Sequence, residues 1–350
     1  MAQYLKNNKF SKIDIELDHI KCDFCGSDQN SLILTSKDYV FNNIQGEFNI
    51  VKCENCKLAF SNPRLRNDQM KNHYYITDDF GSPIEKVDLI NQKSYVYNKN
   101  FLVNYFNYPF GKRNLRYKFI HYPLYLRINK KWKKTLFIPK YIKNGKILEI
   151  GCSYGNYLFQ LKKIGWDVKG IELSKKAVDH GKNKLNLDIL NIDIQDFESE
   201  ENFDIIYLRM VLEHVESPKI VLKKCYSLLK PHGKLVLILP DISGLEVRIY
   251  KKYAYTLTLP YHLYHFSPNT IKNYLKLLDF HNIKIVHENF DRDLLAPLNF
   301  MIRENPNKLY LKVILKFATK GLIRKVIIKT IVNIFSLLGK TSRMTVIAEK

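Results

Sequence analysis

The stretch Ile147-Leu-Glu-Ile-Gly-Cys-Ser-Tyr-Gly155 constrains this chain more than any other. An apolar strand, Lys146–Ile150, ends at Gly151. Gly155 then opens a helical pattern, with Leu158, Leu161 and Ile164 at helical spacing. In open parallel sheets, ligands bind at the carboxyl ends of the strands, near the topological switch point. Gly151 lets the backbone approach a ligand with no Cβ in the way. The helix start at Gly155 offers unpaired N–H groups and a positive dipole end to an anion. Glu149 is placed to fix the loop or to receive an ammonium group.

The alternation continues to the end of the chain. Strands are expected at Asp167–Glu172, Leu187–Ile192, Phe203–Leu208, Lys234–Leu239, Asn282–Val286 and Met344–Ala348. Helices are expected after Ser174, after Ser217-Pro218 and after Ser267-Pro268, each with an N-cap residue; the last two carry proline at the first turn. Pro231-His232-Gly233 reads as a turn between a helix and the fifth strand. Strands alternating with helices imply an α/β fold: a mostly parallel sheet covered on both faces.

The second strand ends in Glu172, 21 residues past Gly151. A carboxylate there suits the two hydroxyls of an adenosine ribose. The glycine spacing, Gly151 then Gly155, lacks the further glycines that a dinucleotide pyrophosphate needs. A smaller nucleoside bearing a carboxylate fits better.

With Gly165-Trp-Asp-Val-Lys-Gly-Ile-Glu172, Phe203-Asp-Ile-Ile-Tyr-Leu208, Val211-Leu-Glu-His-Val215, Leu228-Leu-Lys-Pro-His-Gly233 and Pro260-Tyr-His-Leu-Tyr-His-Phe-Ser267 added, the chain resembles the class I S-adenosylmethionine-dependent methyltransferases. The resemblance covers about residues 145–290 and the final strand. The last two motifs resemble those of small-molecule methyltransferases, especially from surface-polysaccharide and natural-product clusters. Ser153 and His232 depart from it, standing where many relatives carry glycine. The resemblance implies a Rossmann-like, mostly parallel seven-stranded sheet. It implies that Glu149, Gly151, Cys152 and Gly155 line the methionine end of S-adenosylmethionine. Glu172 would hold the ribose with Leu173 beside the adenine, Asp193 and Ile194 would flank the adenine edge, and Leu208 and Arg209 would close the site.

Cys22-Asp-Phe-Cys25 and Cys53-Glu-Asn-Cys56 form two knuckles with 27 residues between the inner cysteines. Four thiolates in two such pairs match a tetrahedral zinc site, with a disulfide pair as the competing reading. With all four positions taken by protein, the zinc is expected to be structural. Lys57-Leu-Ala-Phe-Ser-Asn-Pro63 resembles the ribbon ending of zinc-ribbon-bearing members of the group. Cys152 and Cys225 read as packing residues. The chain then divides into a ribbon at 1–62, a linker with a basic aromatic helical segment at 63–144, and the methyltransferase region at 145–350.

The net charge of +22 is concentrated. Asn98–Lys146 holds 13 Lys/Arg and no acid, and Asn305–Arg343 holds 9 and no acid, which together equal the whole excess. The second segment reads as a basic amphipathic helical insertion (305–343) before the last strand. Both segments suit an anionic membrane surface. No apolar run is long enough for a transmembrane helix and the N-terminus lacks the apolar core of a signal peptide, so a cytoplasmic protein at the inner membrane face is expected.

Methyl transfer to oxygen usually needs a base near the sulfonium. His265 is the first candidate and His214 the second, with His262 and Glu213 nearby in sequence. The expected function is methyl transfer to a sugar or related small molecule, with a lipid-linked acceptor among the candidates. The alternatives are an RNA methyltransferase and a non-catalytic protein retaining the fold. The first is disfavoured by the absence of an N/D-P-P-Y/F box after the fourth strand, the second by the intact Gly151, Gly155 and Glu172.

Overall fold

The computed structural model describes residues 15–66, 68–69, 93–123, 139–288 and 290–350. Five short strands come first: β1 Leu17–Asp18, β2 Asn30–Ser36, β3 Phe48–Cys53, β4 Ala59–Ser61 and β5 Arg64–Leu65. Then come β6 Lys146–Ile150, β7 Asp167–Ile171, β8 Asp188–Leu190, β9 Phe203–Arg209, β10 Leu229–Pro240, β11 Tyr264–His265, β12 His281–His287 and β13 Arg343–Glu349. Seven of these form the main sheet, in the order β12-β13-β10-β9-β6-β7-β8. Only β13 runs against its neighbours. The expected mostly parallel seven-stranded α/β sheet is therefore present.

The central strands are mostly apolar because helices cover both of their faces. Ile147, Leu148, Ile206, Leu208, Leu235 and Leu237 are fully buried. The helices begin where the caps predict. Ser174 accepts from the Ala177 amide and Ser217 from that of Ile220, while Ser267 and Thr270 form a reciprocal capping box. The expected turn at Pro231-His232-Gly233 is not a break between elements. It is absorbed into β10 as a bulge, where the pairing with β9 jumps from Leu229–Phe203 to Lys234–Ile205. Backbone bonds between His232 and Lys350, and between Lys350 and Gly233, carry the ladder across it.

The ribbon is not a separate unit. Its sheet has the order β11-β4-β3-β2, so one of its four strands comes from beyond residue 260. Tyr264 pairs with Phe60 and His265 with Ala59. Within the first knuckle, Asp23 accepts from Ser217 Oγ at 2.5 Å, the Lys219 amide at 3.1 Å and the Tyr274 hydroxyl at 2.8 Å. A carboxylate is thereby placed at a helix N-terminus, where it opposes the positive dipole end.

The helix Lys93–Phe106 packs Phe101, Leu102 and Val103 inward. Just beyond it, the Tyr108 hydroxyl accepts from the Trp166 indole at 2.8 Å. The expected basic interface residues Lys130, Lys131, Trp132, Lys133 and Lys134 lie outside the described residues. Between β12 and β13 lie the helices Asp291–Glu304, Leu309–Thr319 and Lys329–Leu337; the last two fall within the expected insertion, 305–343, and the first precedes it. No helix among the described residues is long and apolar enough to cross a membrane.

One ion pair fixes the first of these helices to the sheet. Arg343, at the start of β13, meets both oxygens of Asp293 at 2.6 and 3.0 Å, and both side chains are largely buried. Removing one partner of such a pair strands a buried charge. Asp293→Ala is expected to lower stability by about 3–5 kcal/mol in denaturant titration. The double variant, Asp293→Asn with Arg343→Met, removes both charges and should recover much of the loss.

Candidate active site

The loop after β6 is shaped by close packing. Gly151 has φ +68°, and a Cβ there would meet Val211 Cγ2 at 2.5 Å. Gly155 caps the helix Asn156–Lys163 at φ +75°, and its Cβ would meet Leu187 Cδ1 at 2.5 Å. Between them Ser153 also adopts a left-handed φ, +51°, at the position where the resemblance implies glycine. The loop is tied to the next strand: the Gly151 amide donates to Ile171 and the Ser153 amide to Glu172 Oε2 at 2.7 Å.

Glu172 stands at the carboxyl end of β7 and accepts from the Ser174 amide through its other oxygen at 2.9 Å. Each oxygen keeps a second lone pair for a further donor. Leu173 is exposed beside it. Asn191 bonds the carbonyls of Glu172 and Leu173, bringing the segment after β8 alongside. There Asp193 accepts from the Gln195 amide, and Ile194 is buried. Cys152 is buried below the loop, and Leu208 is fully buried in the core behind it.

Glu149 is the unusual member. It is 2% exposed, yet its Oε2 has no hydrogen-bond partner among the described residues. Its Oε1 meets Arg209 at 3.4 Å, and the Arg209 guanidinium lies over the Tyr157 ring at 4.4 Å. Burial pushes the Glu149 carboxyl up to about 7 despite Arg209. A buried orphan of this kind is costly unless something fills the place.

Residues 117–285 match a family model described as a methyltransferase domain. Over these residues, just under half of the chain, it is similar to that family. Among curated relatives, the ubiquinone biosynthesis O-methyltransferase of Coxiella burnetii is 31% identical over 143 residues, covering 39% of this chain and 58% of that protein. The enzyme of the same name from Actinobacillus pleuropneumoniae is 33% identical over 101 residues, covering 26% and 43%. The chain thus spans less than two thirds of the relatives it matches. Among solved structures, a methyltransferase from Thermotoga maritima described as a possible histamine N-methyltransferase aligns with TM-score 0.42 at 18% identity, covering 67% of this chain and 93% of that one. A methyltransferase from Archaeoglobus fulgidus aligns with TM-score 0.40 at 18% identity, covering 68% and 100%.

The residues present in the methyltransferase domain fit the cofactor that the family implies, S-adenosylmethionine. Glu149 Oε2 is a buried acceptor without a donor among the described residues, suited to an ammonium group. Glu172 keeps acceptor capacity for ribose hydroxyls. Sequence reasoning placed these residues but missed Tyr157, the aromatic face under Arg209. Its only signal was an aromatic two residues past Gly155.

The two candidate histidines of the domain occupy different settings. His214 follows β9, and its Nδ1 lies 2.9 Å from the Tyr261 carbonyl. A carbonyl can only accept, so Nδ1 carries the proton and Nε2 is the basic nitrogen. The same argument applies to His262, with Nδ1 3.0 Å from the Thr256 carbonyl. Glu213, His214 and His262 bring ligand-capable atoms within 4.8 Å of one another, and neither Glu213 oxygen has a hydrogen-bond partner among the described residues. Burial raises Glu213 to about 8 and lowers His214 to about 4. His265 sits inside the ribbon-linked sheet with Nε2 3.4 Å from Ser61 Oγ. Burial lowers it to about 3.

The cysteines converge as the spacing predicted. Cys22 and Cys56 sulfurs are 3.4 Å apart, Cys25 and Cys53 sulfurs 3.5 Å, and all four lie within 4.8 Å. Four sulfurs about 2.3 Å from a tetrahedral zinc would stand about 3.8 Å apart. Each knuckle closes on a residue with positive φ, Gly26 or Lys57. Burial would raise the Cys53 thiol, but the amides of Cys56 and Asn55 and the Cys25 thiol outweigh it and bring it down to about 7.

An ammonium group binds the ionised form of Glu149. Cofactor affinity measured by calorimetry is therefore expected to fall as pH drops through about 7, approaching tenfold per unit below it. Glu149→Gln should weaken binding and flatten this profile. Glu172→Ala should cost about 1.5–3 kcal/mol at every pH.

Proposed function

We propose that the protein transfers a methyl group from S-adenosylmethionine to a hydroxyl oxygen of a small acceptor, a sugar or related metabolite carried on a lipid in surface polysaccharide assembly. The observation that carries the reaction class is the buried Glu149 oxygen beside the Gly151 loop, without a partner among the described residues, with Glu172 one strand away. The oxygen acceptor is supported by the relatives, which are named O-methyltransferases in ubiquinone biosynthesis. The sugar rests on the motif around His262 and His265.

The bound cofactor supplies a methyl already activated on a sulfonium. The protein's share is alignment and removal of one proton. Glu149 holds the ammonium end, with Arg209 beside it. Glu172, Leu173, Asp193 and Ile194 hold the nucleoside end. Leu208 backs the site from the core.

We assign proton removal to His214 rather than His265. Val211, three residues before His214, touches Gly151 of the cofactor loop, and the His214 amide donates to Val211. His214 Nε2 is basic by the tautomer argument above. In contrast, Ser61 gives its one proton to the His262 carbonyl at 2.9 Å, so His265 Nε2 must donate to it. His265 thereby ties β11 to β4 within the ribbon-linked sheet.

The cluster of four cysteines we assign to one structural zinc. It leaves no open position, so its role is to hold the ribbon in shape. Elemental analysis should find one zinc per chain, lost when Cys22 and Cys53 are replaced by serine. Unchanged metal content in that variant would overturn the assignment.

The reaction is tested with methyl-labelled cofactor in extract, separating lipid, RNA and water-soluble fractions. Label is expected in the lipid fraction. Label confined to RNA would overturn the acceptor. With that acceptor, His214→Ala should lower kcat by about 100-fold with little change in cofactor affinity. Because the His214 base form persists until pH falls through about 4, kcat at saturating cofactor should hold down to mildly acid pH. An acid limb near the ordinary histidine value would argue for another base.

A further inference from the structure

The helical pair before β13 shows an unusual outer face. Its inner face is built from Leu311, Ala318, Ile328 and Val332, which pack with Leu295 and Leu298 of the helix Asp291–Glu304. These form a small core apart from the two larger ones. Outside it, Tyr310, Val313, Ile314 and Phe317 follow helical spacing as one exposed stripe. Of the 23 large apolar residues exposed among the described residues, 11 lie between Leu309 and Leu338. Leu322 at the bend is 77% exposed. Scattered apolar residues need no explanation, but a contiguous patch marks an interaction site.

The charge around this patch identifies what covers it. Lys308, Lys312, Lys316 and Lys320 recur every four residues along the remaining arc of the first helix, and Lys329 begins the second. All five are exposed, and none pairs with a carboxylate among the described residues. No acid occurs anywhere in Asn305–Arg343. A second copy of the chain would bring two such basic faces together, and lysine is depleted from the centres of protein interfaces. A stripe of aliphatic and aromatic side chains flanked by lysines suits the boundary between headgroups and acyl chains, where lysine stems lie along apolar surface and their ammonium groups reach phosphate.

We infer that the outer face of this helical pair is a docking surface for an anionic bilayer, lying in the headgroup plane. The pair is mounted on the helix Asp291–Glu304, which Asp293 and Arg343 fix to the carboxyl edge of the sheet. Docking therefore brings the edge that holds the methyl-transfer site close to the bilayer. This last step rests on the proposed function; the docking itself does not.

The test is co-sedimentation of the full chain with vesicles of phosphatidylcholine alone or mixed with phosphatidylglycerol. Binding to the mixed vesicles only, reduced at least about tenfold by about 0.5 M salt, is expected. Two variants separate the contributions: Phe317→Glu with Leu322→Glu removes the apolar anchor, and Lys308, Lys312, Lys316 and Lys320 changed to glutamate reverses the charge. Each should lower binding about tenfold or more while leaving cofactor affinity unchanged by calorimetry. Because these positions are exposed, thermal melting should match the parent chain. Cofactor binding without vesicle binding would overturn the docking surface and leave the proposed reaction standing. Vesicle binding without methyl transfer to any fraction would do the reverse. Salt-sensitive RNA binding or self-association through Phe317, with no vesicle binding, would also overturn the inference.

Discussion

The pairing of β4 with β11 is the contact on which the arrangement of the site depends. It joins a metal-type ribbon at one end of the chain to a loop some two hundred residues later. That loop carries His262 and His265, and its backbone has few ladder partners of its own. On one side the Ser61 amide and hydroxyl bond the Leu263 and His262 carbonyls. On the other side the amides of Leu263 and Tyr264 donate to the Glu213 carbonyl. The histidine loop is thus clamped between the ribbon and the segment after β9. An irregular loop buried this deeply needs such partners for every backbone group. The knuckle residue Asp23 adds a second tie, through Ser217 and Tyr274, so the ribbon is bound to the domain at two points.

Electrostatics at the carboxyl edge follow from the same burial. Glu149 and Glu288 are pushed up to about 7, and Glu213 to about 8, because their carboxylates lie out of water. The neighbouring histidines are pushed down for the same reason. The result is a site whose buried carboxyls and histidines carry less charge than they would in water. Arg209 and Arg343 bring positive charge there, and Arg343 is committed to Asp293. A low-dielectric site that keeps carboxylate oxygens without a donor among the described residues gains most from a cationic ligand.

Much of this was legible in the sequence, for physical reasons. The β6–Gly151–Gly155 unit has a pattern that only a strand, a tight loop and a helix satisfy, and its two glycines prove to be positions where a Cβ would collide. The helix starts were fixed by serine caps and by Pro218 and Pro268. The cysteine spacing brought four sulfurs together. What stayed hidden depends on contacts far apart in the chain. The pairing of β4 with β11 spans two very short strands, which carry almost no alternation signal. The Asp293–Arg343 pair joins residues fifty apart, and Asp241 with His287 joins residues forty-six apart at 2.8 Å. The environments of His214 and His265 could not be told apart from their neighbours in sequence. Burial and a backbone carbonyl decide the tautomer of one, and a serine hydroxyl that of the other.

If the ribbon and the methyltransferase domain are one folded unit, loosening the first must loosen the histidine loop. Amide hydrogen exchange with and without a zinc chelator measures this directly. Protection should fall together at Ala59–Ser61 and at Leu263–His265, while the central strands β6 and β9 keep theirs. Faster exchange confined to the two knuckles, with Leu263–His265 unchanged, would contradict the account.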